Sequence, residues 1–289
     1  MENTDRVFRD MEIRRASADT DYSVVMANDM IKGCSELSLN ELKLLRTIIM
    51  QIKPGDKDLY PYMITVKEFQ EMTGLSGKRI YDDAQKMCVH LLKEIILIGD
   101  GNPRHKWKAF QWVSLCEYDS GKFYIKLHDA LKPYIIGLQD FYTKFQLSDI
   151  VRLNSVYAIR LLELIYEAMK NAPVYGDKTT EVYIPLDVLR KATNTENKYK
   201  SVNRWAERVV KLPLEEINRK NGKYYISYRP YKESRKIVGF YFLIESAVWH
   251  NLKKDIRNGR NKSPRIHTSR KCYSKEITIY KHNVTTRAP

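Results

Sequence analysis

Seven polar residues between positions 198 and 211 carry the side chains with which proteins contact DNA. Lysine and arginine neutralise phosphates, whereas asparagine and arginine can form paired hydrogen bonds with the edges of adenine and guanine. The seven are Lys198, Lys200, Ser201, Asn203, Arg204, Arg208 and Lys211. Their chemistry indicates a surface that reads double-stranded DNA.

The spacing of these residues predicts one face of a helix over residues 199–211. On a helical wheel that starts at Lys200, the cations share this face with one carboxylate, Glu207. The opposite face is apolar and contains Val202, Trp205, Ala206, Val209, Val210 and Leu212. A solvated surface helix is the alternative to a DNA-reading helix, because charged outer faces are the norm for amphipathic helices.

The elements around this helix favour DNA reading. A short helix is predicted over residues 183–191, and two strand-like runs, 224–229 and 237–244, follow the basic helix. Helix, helix and hairpin is the order of a winged helix, whose second helix enters the major groove. Between the strands lies a cationic turn suited to phosphates, with a plain polar turn as the alternative. Its cations are Arg229, Lys232, Arg235 and Lys236.

The same order of elements is predicted earlier in the chain. Capping boxes at Ser38–Glu41 and Thr65–Glu68 predict two helices. A third helix, capped by Ser76, would bury Ile80, Ala84, Met87, Cys88 and Leu91, and a hairpin would join residues 109–118 to 122–128. Corresponding elements lie roughly 120 residues apart, which predicts two copies of one domain rather than a solenoid. The predicted fold is therefore α+β, with two tandem winged helices.

The first copy is predicted to be the weaker DNA reader. Its third helix offers Lys78, Arg79 and Tyr81, but Asp82 and Asp83 accompany them and would repel phosphates. The helix can contact DNA through its start or serve as a protein interface, and the sequence leaves both interpretations open.

Charge is concentrated at one end of the chain. The 289 residues carry a net charge of +15, and residues 253–289 hold eleven Lys or Arg and two carboxylates, a net of +9. We therefore predict four segments, two of which are winged helices. They are a flexible N-terminus (1–21), winged-helix domain 1 (22–146), winged-helix domain 2 (147–250) and a basic C-terminal tail (251–289).

No motif predicts catalysis, a metal site or a cofactor. The four cysteines, Cys34, Cys88, Cys116 and Cys272, form no CxxC pair, and no two histidines have the one-residue separation that a nicking initiator needs. Residues 74–79 are too short for a phosphate loop. The N-terminus has no apolar secretion signal, so we expect a cytoplasmic protein.

The order of the motifs resembles the initiator Rep superfamily of theta-replicating plasmids. In the second half, residues 153–164 read Leu-Asn-Ser-Val-Tyr-Ala-Ile-Arg-Leu-Leu-Glu-Leu, and similar motifs follow at 183–190, 198–205, 213–218 and 240–242. In the first half, residues 38–45 and 131–134 carry the resemblance. It covers roughly residues 22–246, and the tail has no counterpart in the pattern.

The resemblance implies a function. Proteins of this family bind directly repeated origin sites, called iterons, through two winged helices, and as monomers they help to open the adjacent AT-rich duplex. They recruit the host initiator and helicase, and dimers formed through the first domain often repress their own promoter. The resemblance implies that helix 199–211 lies in the iteron major groove. A dedicated transcriptional regulator with the same DNA-binding units is the alternative.

Overall fold

The computed structural model describes residues 8, 11–75, 79–99, 102, 104–170, 172 and 179–257. The chain divides into two compact units, Met1–Ala247 and Val248–Pro289. The described part of the second unit lies in helix α10 (Ala247–Arg257). The predicted tail beyond residue 257 is outside the described residues.

The first half of the large unit contains three helices in the predicted order. They are α2 (Leu39–Ile49), α3 (Val66–Thr73) and α4 (Arg79–Lys93). Both predicted capping boxes are confirmed, because the side chains of Ser38 and Thr65 accept the backbone N–H groups of Glu41 and Glu68. Helix α4 buries the five apolar residues that its periodicity selects. Ser76, its predicted cap, is outside the described residues.

A sheet in the order β1-β3-β7-β6 completes the first winged helix. Its strands are β1 (Arg14–Arg15), β3 (Tyr62–Thr65), β6 (Val113–Asp119) and β7 (Lys122–Leu127). Strands β6 and β7 form the predicted hairpin, and β7 also pairs with β3 immediately before α3. Strand β3 was not predicted.

The second half repeats this topology. Its elements are α6 (Val156–Met169), β9 (Thr180–Pro185), α7 (Leu186–Ala192), α8 (Val202–Ala206), a π-helical turn (Glu207–Lys211), α9 (Leu212–Lys220), β10 (Tyr224–Glu233) and β11 (Lys236–Ser246). The strand order β10-β11-β9 matches β6-β7-β3, with the second strand of the hairpin in the centre. The predicted tandem repeat of one domain is therefore present in the structure.

The first half has additional elements that the repeat does not predict. They are β2 (Ser23–Ala27), α1 (Asn28–Lys32), β4 (Ile95–Ile98), β5 (Lys108–Gln111), α5 (Lys132–Ile135) and β8 (Tyr142–Gln146). Strand β2 pairs with β8, and β4 pairs with β5. The pairing of β2 with β8 joins the two ends of the first half.

Two expectations for the first half differ from the structure. The predicted flexible N-terminus is held at residues 14–17, because Arg14 pairs with Asp56 at 2.8 Å and Ala16 is buried. The single strand predicted over 109–118 is two strands separated by Trp112. The backbone of Trp112 bonds to Glu94 and His128 instead, and its indole is buried.

Two expectations for the second half also need correction. Residues 183–185 belong to strand β9 rather than to the short helix, because Tyr183 and Ile184 pair with β11. The helix predicted from residue 199 begins at Val202 and continues to Lys220. Pro213 lies within this helix and has no N–H to donate, and the π-helical turn before it accommodates the missing hydrogen bond.

Candidate nucleic-acid interface

The turn before the basic helix, residues 193–201, is held by hydrogen bonds from the side chain of Arg190 in α7. Its guanidinium donates to the carbonyl oxygens of Thr195, Lys198 and Tyr199 at 2.9, 2.9 and 3.3 Å. It also lies 5.3 Å from the ring centroid of Trp205. This role of Arg190 could not be predicted, because bonds to backbone carbonyls leave no pattern in the sequence.

Ser201 caps the basic helix, which we now define as residues 202–211. Its hydroxyl accepts the N–H of Arg204 at 3.5 Å, and its carbonyl accepts the N–H of Trp205 at 2.9 Å. Tyr199 before it has a φ of 59°, so the chain turns sharply into the helix. Lys198 and Lys200 are therefore exposed on the turn, not on the helix as predicted.

The polar face of the basic helix is open to solvent. Asn203, Arg204, Arg208 and Lys211 are all exposed, whereas Trp205, Val209 and Val210 are fully buried. Leu212 was predicted on the apolar face but is 44% exposed. The π-helical turn is wider than an α-turn, so the apolar face continues at Pro213 and Leu214 instead.

A groove of about 300 Å³ separates this helix from the hairpin that follows. Asn203, Glu207 and Lys211 line it from the helix, four residues apart, and Tyr228 and Pro230 line it from β10. Glu207 therefore lines the same groove as the Asn203 amide, which can read base edges, and the Lys211 ammonium group. A carboxylate at this position can accept a hydrogen bond from the N4 amino group of cytosine.

The wing, the tip of the β10–β11 hairpin, carries three of the four predicted cations. Ser234 and Arg235 form a two-residue turn with φ values of 45° and 73°, which fits the type I′ geometry that hairpins favour. Glu233 and Lys236 flank the turn, Lys232 precedes Glu233, and all three are exposed. The residues 232–236 retain a net charge of +2.

Arg229 is not at the tip, contrary to prediction. It lies within strand β10 opposite Tyr241, and its guanidinium is 4.0 Å from the Tyr241 ring centroid. It also donates to Glu181 of β9 at 3.0 Å. On this outer face of the sheet, Tyr183 and Tyr231 pack edge-to-face at 5.5 Å. Arg229 therefore spans the three-stranded sheet, away from the basic helix.

The weaker DNA contact predicted for the first half falls on α4. Tyr81 of α4 is 41% exposed and lies beside the β6–β7 turn at Gly121. On the same helix, Asp83 pairs with Lys86 at 3.5 Å. Lys78 and the side chain of Arg79 lie outside the described residues, so the structure places only Tyr81 of the three predicted contacts.

Within the described residues, no cluster of His, Cys, Asp and Glu side chains could hold a metal ion. Cys88 of α4 is buried as predicted, with its Sγ 2.7 Å from Cys116 Sγ. In the same part of the chain, no helix is long and apolar enough to cross a bilayer.

Together, the repeated helix-turn-helix units, their hairpins and the exposed cations define a tandem winged-helix protein. Residues 23–166 match the first winged-helix domain (WH1) of the initiator replication proteins, and residues 185–244 match the second (WH2). The chain belongs to the initiator Rep protein family. The predicted resemblance is therefore confirmed.

Known proteins similar to this chain include a replication initiation protein and a structurally characterised initiator. A replication initiation protein of Escherichia coli is 21% identical over 199 residues, which are 66% of this chain and 61% of that protein. The crystal structure of the Pi initiator protein in complex with iteron DNA aligns with a TM-score of 0.64 at 17% identity. It covers 79% of this chain and 98% of the Pi chain. This likeness confirms the α+β fold with two tandem winged helices.

Proposed function

We propose that this protein initiates plasmid replication by binding directly repeated origin sites, iterons, in double-stranded DNA. One observation carries the proposal. The polar face of the basic helix is exposed beside a cationic wing, while its apolar face is packed into the second winged helix. An exposed cationic helix next to a wing has the geometry for the major groove and the flanking backbone.

Individual residues have distinct roles in this proposal. Asn203 and Arg204 read base edges, because their side chains can form two hydrogen bonds with one base. Lys198, Lys200, Arg208 and Lys211 bind phosphates, and Ser201 fixes the start of the helix. The wing cations Lys232, Arg235 and Lys236 bind the backbone beside the major groove. Arg229 supports the wing sheet.

The first winged helix makes a weaker DNA contact through the start of α4. In this proposal Tyr81, whose side chain the structure describes, contacts the DNA. Lys78 and Arg79 would add phosphate contacts. We propose domain boundaries at 22–146 and 147–250, because α6 begins the second repeat of the topology, although the WH1 match extends to residue 166. The repeat allows one chain to span two successive major grooves.

Family membership and the likeness to the Pi protein, whose structure was determined with iteron DNA, support the initiator function. The proposal includes opening of the adjacent AT-rich duplex and recruitment of the host initiator and helicase. It also includes a monomer–dimer equilibrium, repression of the protein's own gene and action in the bacterial cytoplasm. We assign no catalytic residue, metal or cofactor.

A transcriptional regulator is the second candidate, because a basic helix beside a wing would bind an operator equally well. The arrangement of the DNA sites distinguishes the two functions. An initiator binds several direct repeats beside an AT-rich segment, whereas a regulator binds an inverted repeat over a promoter.

Footprinting of the purified protein on the DNA that flanks its gene tests the proposal, with a probe of unpaired thymines in the same reaction. We expect protection of several equally spaced direct repeats and new reactivity in a neighbouring AT-rich tract. Protection of a single inverted repeat without unpaired thymines would favour the regulator. No protection of any sequence would overturn both functions.

A further inference from the structure

A buried ion pair joins α2 to α6, the helix that begins the second repeat of the topology, although the WH1 match itself extends to residue 166. Arg46 of α2, in the first half, donates to Glu163 of α6, in the second half, at 2.6 and 3.2 Å. Both side chains have no exposed surface. Burial disfavours the charged carboxylate, but Arg46 and Arg160 outweigh it and hold the pKa of Glu163 below its ordinary value. Glu163 is therefore charged at neutral pH.

Arg160 extends this pair into a network. Its guanidinium donates to Glu163 at 2.7 Å. It also donates, at 2.7 Å each, to the carbonyl oxygens of Ile31, in helix α1 of the first half, and of Gly33, which follows that helix. It also donates to the carbonyl of Ala192, the last residue of α7, at 2.9 Å. One buried side chain thus connects the first half to the helix that precedes the basic helix.

The turn before the basic helix is also tied to the first half. Asn194 donates to Glu36 at 3.0 Å and accepts from the thiol of Cys34 at 3.5 Å. Lys191 at the end of α7 donates to the carbonyl of Gly99, which follows strand β4. These contacts lie within eleven residues of the start of the basic helix.

A charged network at this position constrains geometry more than it stabilises the fold. Burying ions costs solvation free energy that apolar residues of equal size would not lose, so buried ion pairs are weak evidence for stability. They are directional, however, because displacing one partner leaves a buried charge without its hydrogen bonds. An apolar interface tolerates sliding, whereas this network keeps all of its hydrogen bonds only in the orientation observed.

We define a half-site as the segment of one DNA repeat that one winged helix contacts. We propose that the network of Arg46, Glu163 and Arg160 determines which spacing between the two half-sites the protein can bind. This inference rests on the proposed function, because both winged helices must contact the same duplex. Each inserted base pair moves one half-site by about 3.4 Å and rotates it by roughly 35°. With the network intact, the two winged helices cannot reorient to contact both displaced half-sites. Without the network, they can.

The test measures the dissociation constants of full-length protein for its repeat with natural spacing and with one, two or three base pairs inserted between the half-sites. The main variant is Arg46→Met with Glu163→Gln, which removes one charge of each sign and leaves Arg160 its carbonyl partners. The control is Arg14→Met with Asp56→Asn, which removes an ion pair inside the first half. Thermal unfolding establishes that each variant is folded.

For the wild type, we expect two inserted base pairs to weaken binding by about 100-fold. We expect the same insertion to weaken the Arg46→Met, Glu163→Gln variant by only about tenfold or less, with the control equal to the wild type. Should the main variant not fold, Glu36→Ala with Asn194→Ala removes a partly exposed contact of the same interface. That variant should relax the spacing preference by about threefold.

Equal spacing preference in the wild type and the interface variants would overturn the inference, as would a wild type that tolerates every insertion. Both results leave the initiator function intact, because the natural repeat is still bound. A wild type that binds none of the repeats would instead contradict the proposed function itself.

Discussion

The indole of Trp205 donates a 2.7 Å hydrogen bond to the hydroxyl of Thr195, and neither side chain is exposed to solvent. Trp205 lies on the buried face of the basic helix, and Thr195 lies in the turn before it. This bond fixes the helix to the turn, in addition to the bonds that Arg190 makes from α7. The orientation of the exposed cations therefore depends on a buried polar contact.

Thr195→Val should destabilise the protein by about 1–3 kcal/mol, because valine keeps the shape but leaves the buried indole N–H without an acceptor. Urea unfolding measures the effect. Thr195→Ser is the matched control, since it keeps the hydroxyl and should retain most of the stability. Equal stability of Thr195→Val and the wild type would show that the bond does not hold the helix.

Lys43 of α2 is fully buried, and among the described residues its Nζ has no hydrogen-bond partner. Burial and the neighbouring Lys220 lower its pKa from 10.5 to about 8, against the attraction of Glu216. Between these values the unfolded chain binds more protons than the folded chain. The free energy of unfolding should therefore rise between pH 8 and 10.5, by up to about 3 kcal/mol from this group.

Lys43→Met should remove this part of the pH dependence and raise the free energy of unfolding at pH 7. Chemical denaturation at pH 7 and pH 10 measures both effects relative to the wild type. Lys144→Met, at an exposed position on β8, is the control and should leave the pH dependence unchanged. A parallel pH dependence in Lys43→Met and the wild type would contradict the prediction.

Sequence patterns located the helices because their signals are local. The two capping boxes and the apolar spacing of α4 depend only on neighbouring residues. The same holds for the exposed cations of the basic helix. Most of the fold and most of the candidate site could therefore be predicted.

The features that were missed depend on contacts between distant segments. Strands β3 and β9 are short and adopt the strand conformation because they pair with hairpin strands about 60 residues away. The placement of Arg229 depends on Glu181 and Tyr241 of two other strands. The role of Arg190 depends on backbone carbonyls. No local pattern in the sequence records such pairings.

Arg204 and Lys211 should respond differently to mutation. Arg204→Ala should weaken binding to the repeat by about 1–3 kcal/mol and relax the preference for one base, because it removes a base contact. Lys211→Ala should weaken binding to every sequence alike and lower the salt slope by about one, because it removes a phosphate contact. Competition binding against random DNA at several salt concentrations separates the two effects.

Lys144→Ala, at an exposed position on β8, is the control for a simple change in net charge. An equal loss of affinity for the repeat and for random DNA in Arg204→Ala would contradict its base-reading role.

Removal of residues 258–289 keeps helix α10 whole and deletes eight Lys or Arg residues and one carboxylate. This deletion should lower the affinity for random DNA at low salt by about tenfold or more, because fewer counterions are released. The preference for the repeat over random DNA should increase. Unchanged affinity for random DNA at low salt would show that this segment does not contact DNA.

The central claim is that the basic helix reads repeated sites in the major groove. Methylation protection of guanine N7 atoms tests it most directly, because these atoms face the major groove. We predict protected guanines at the same position in each of several direct repeats, and loss of protection at one guanine per repeat in Arg204→Ala. Absence of N7 protection in the wild type, or uniform loss at all guanines in Arg204→Ala, would contradict the claim.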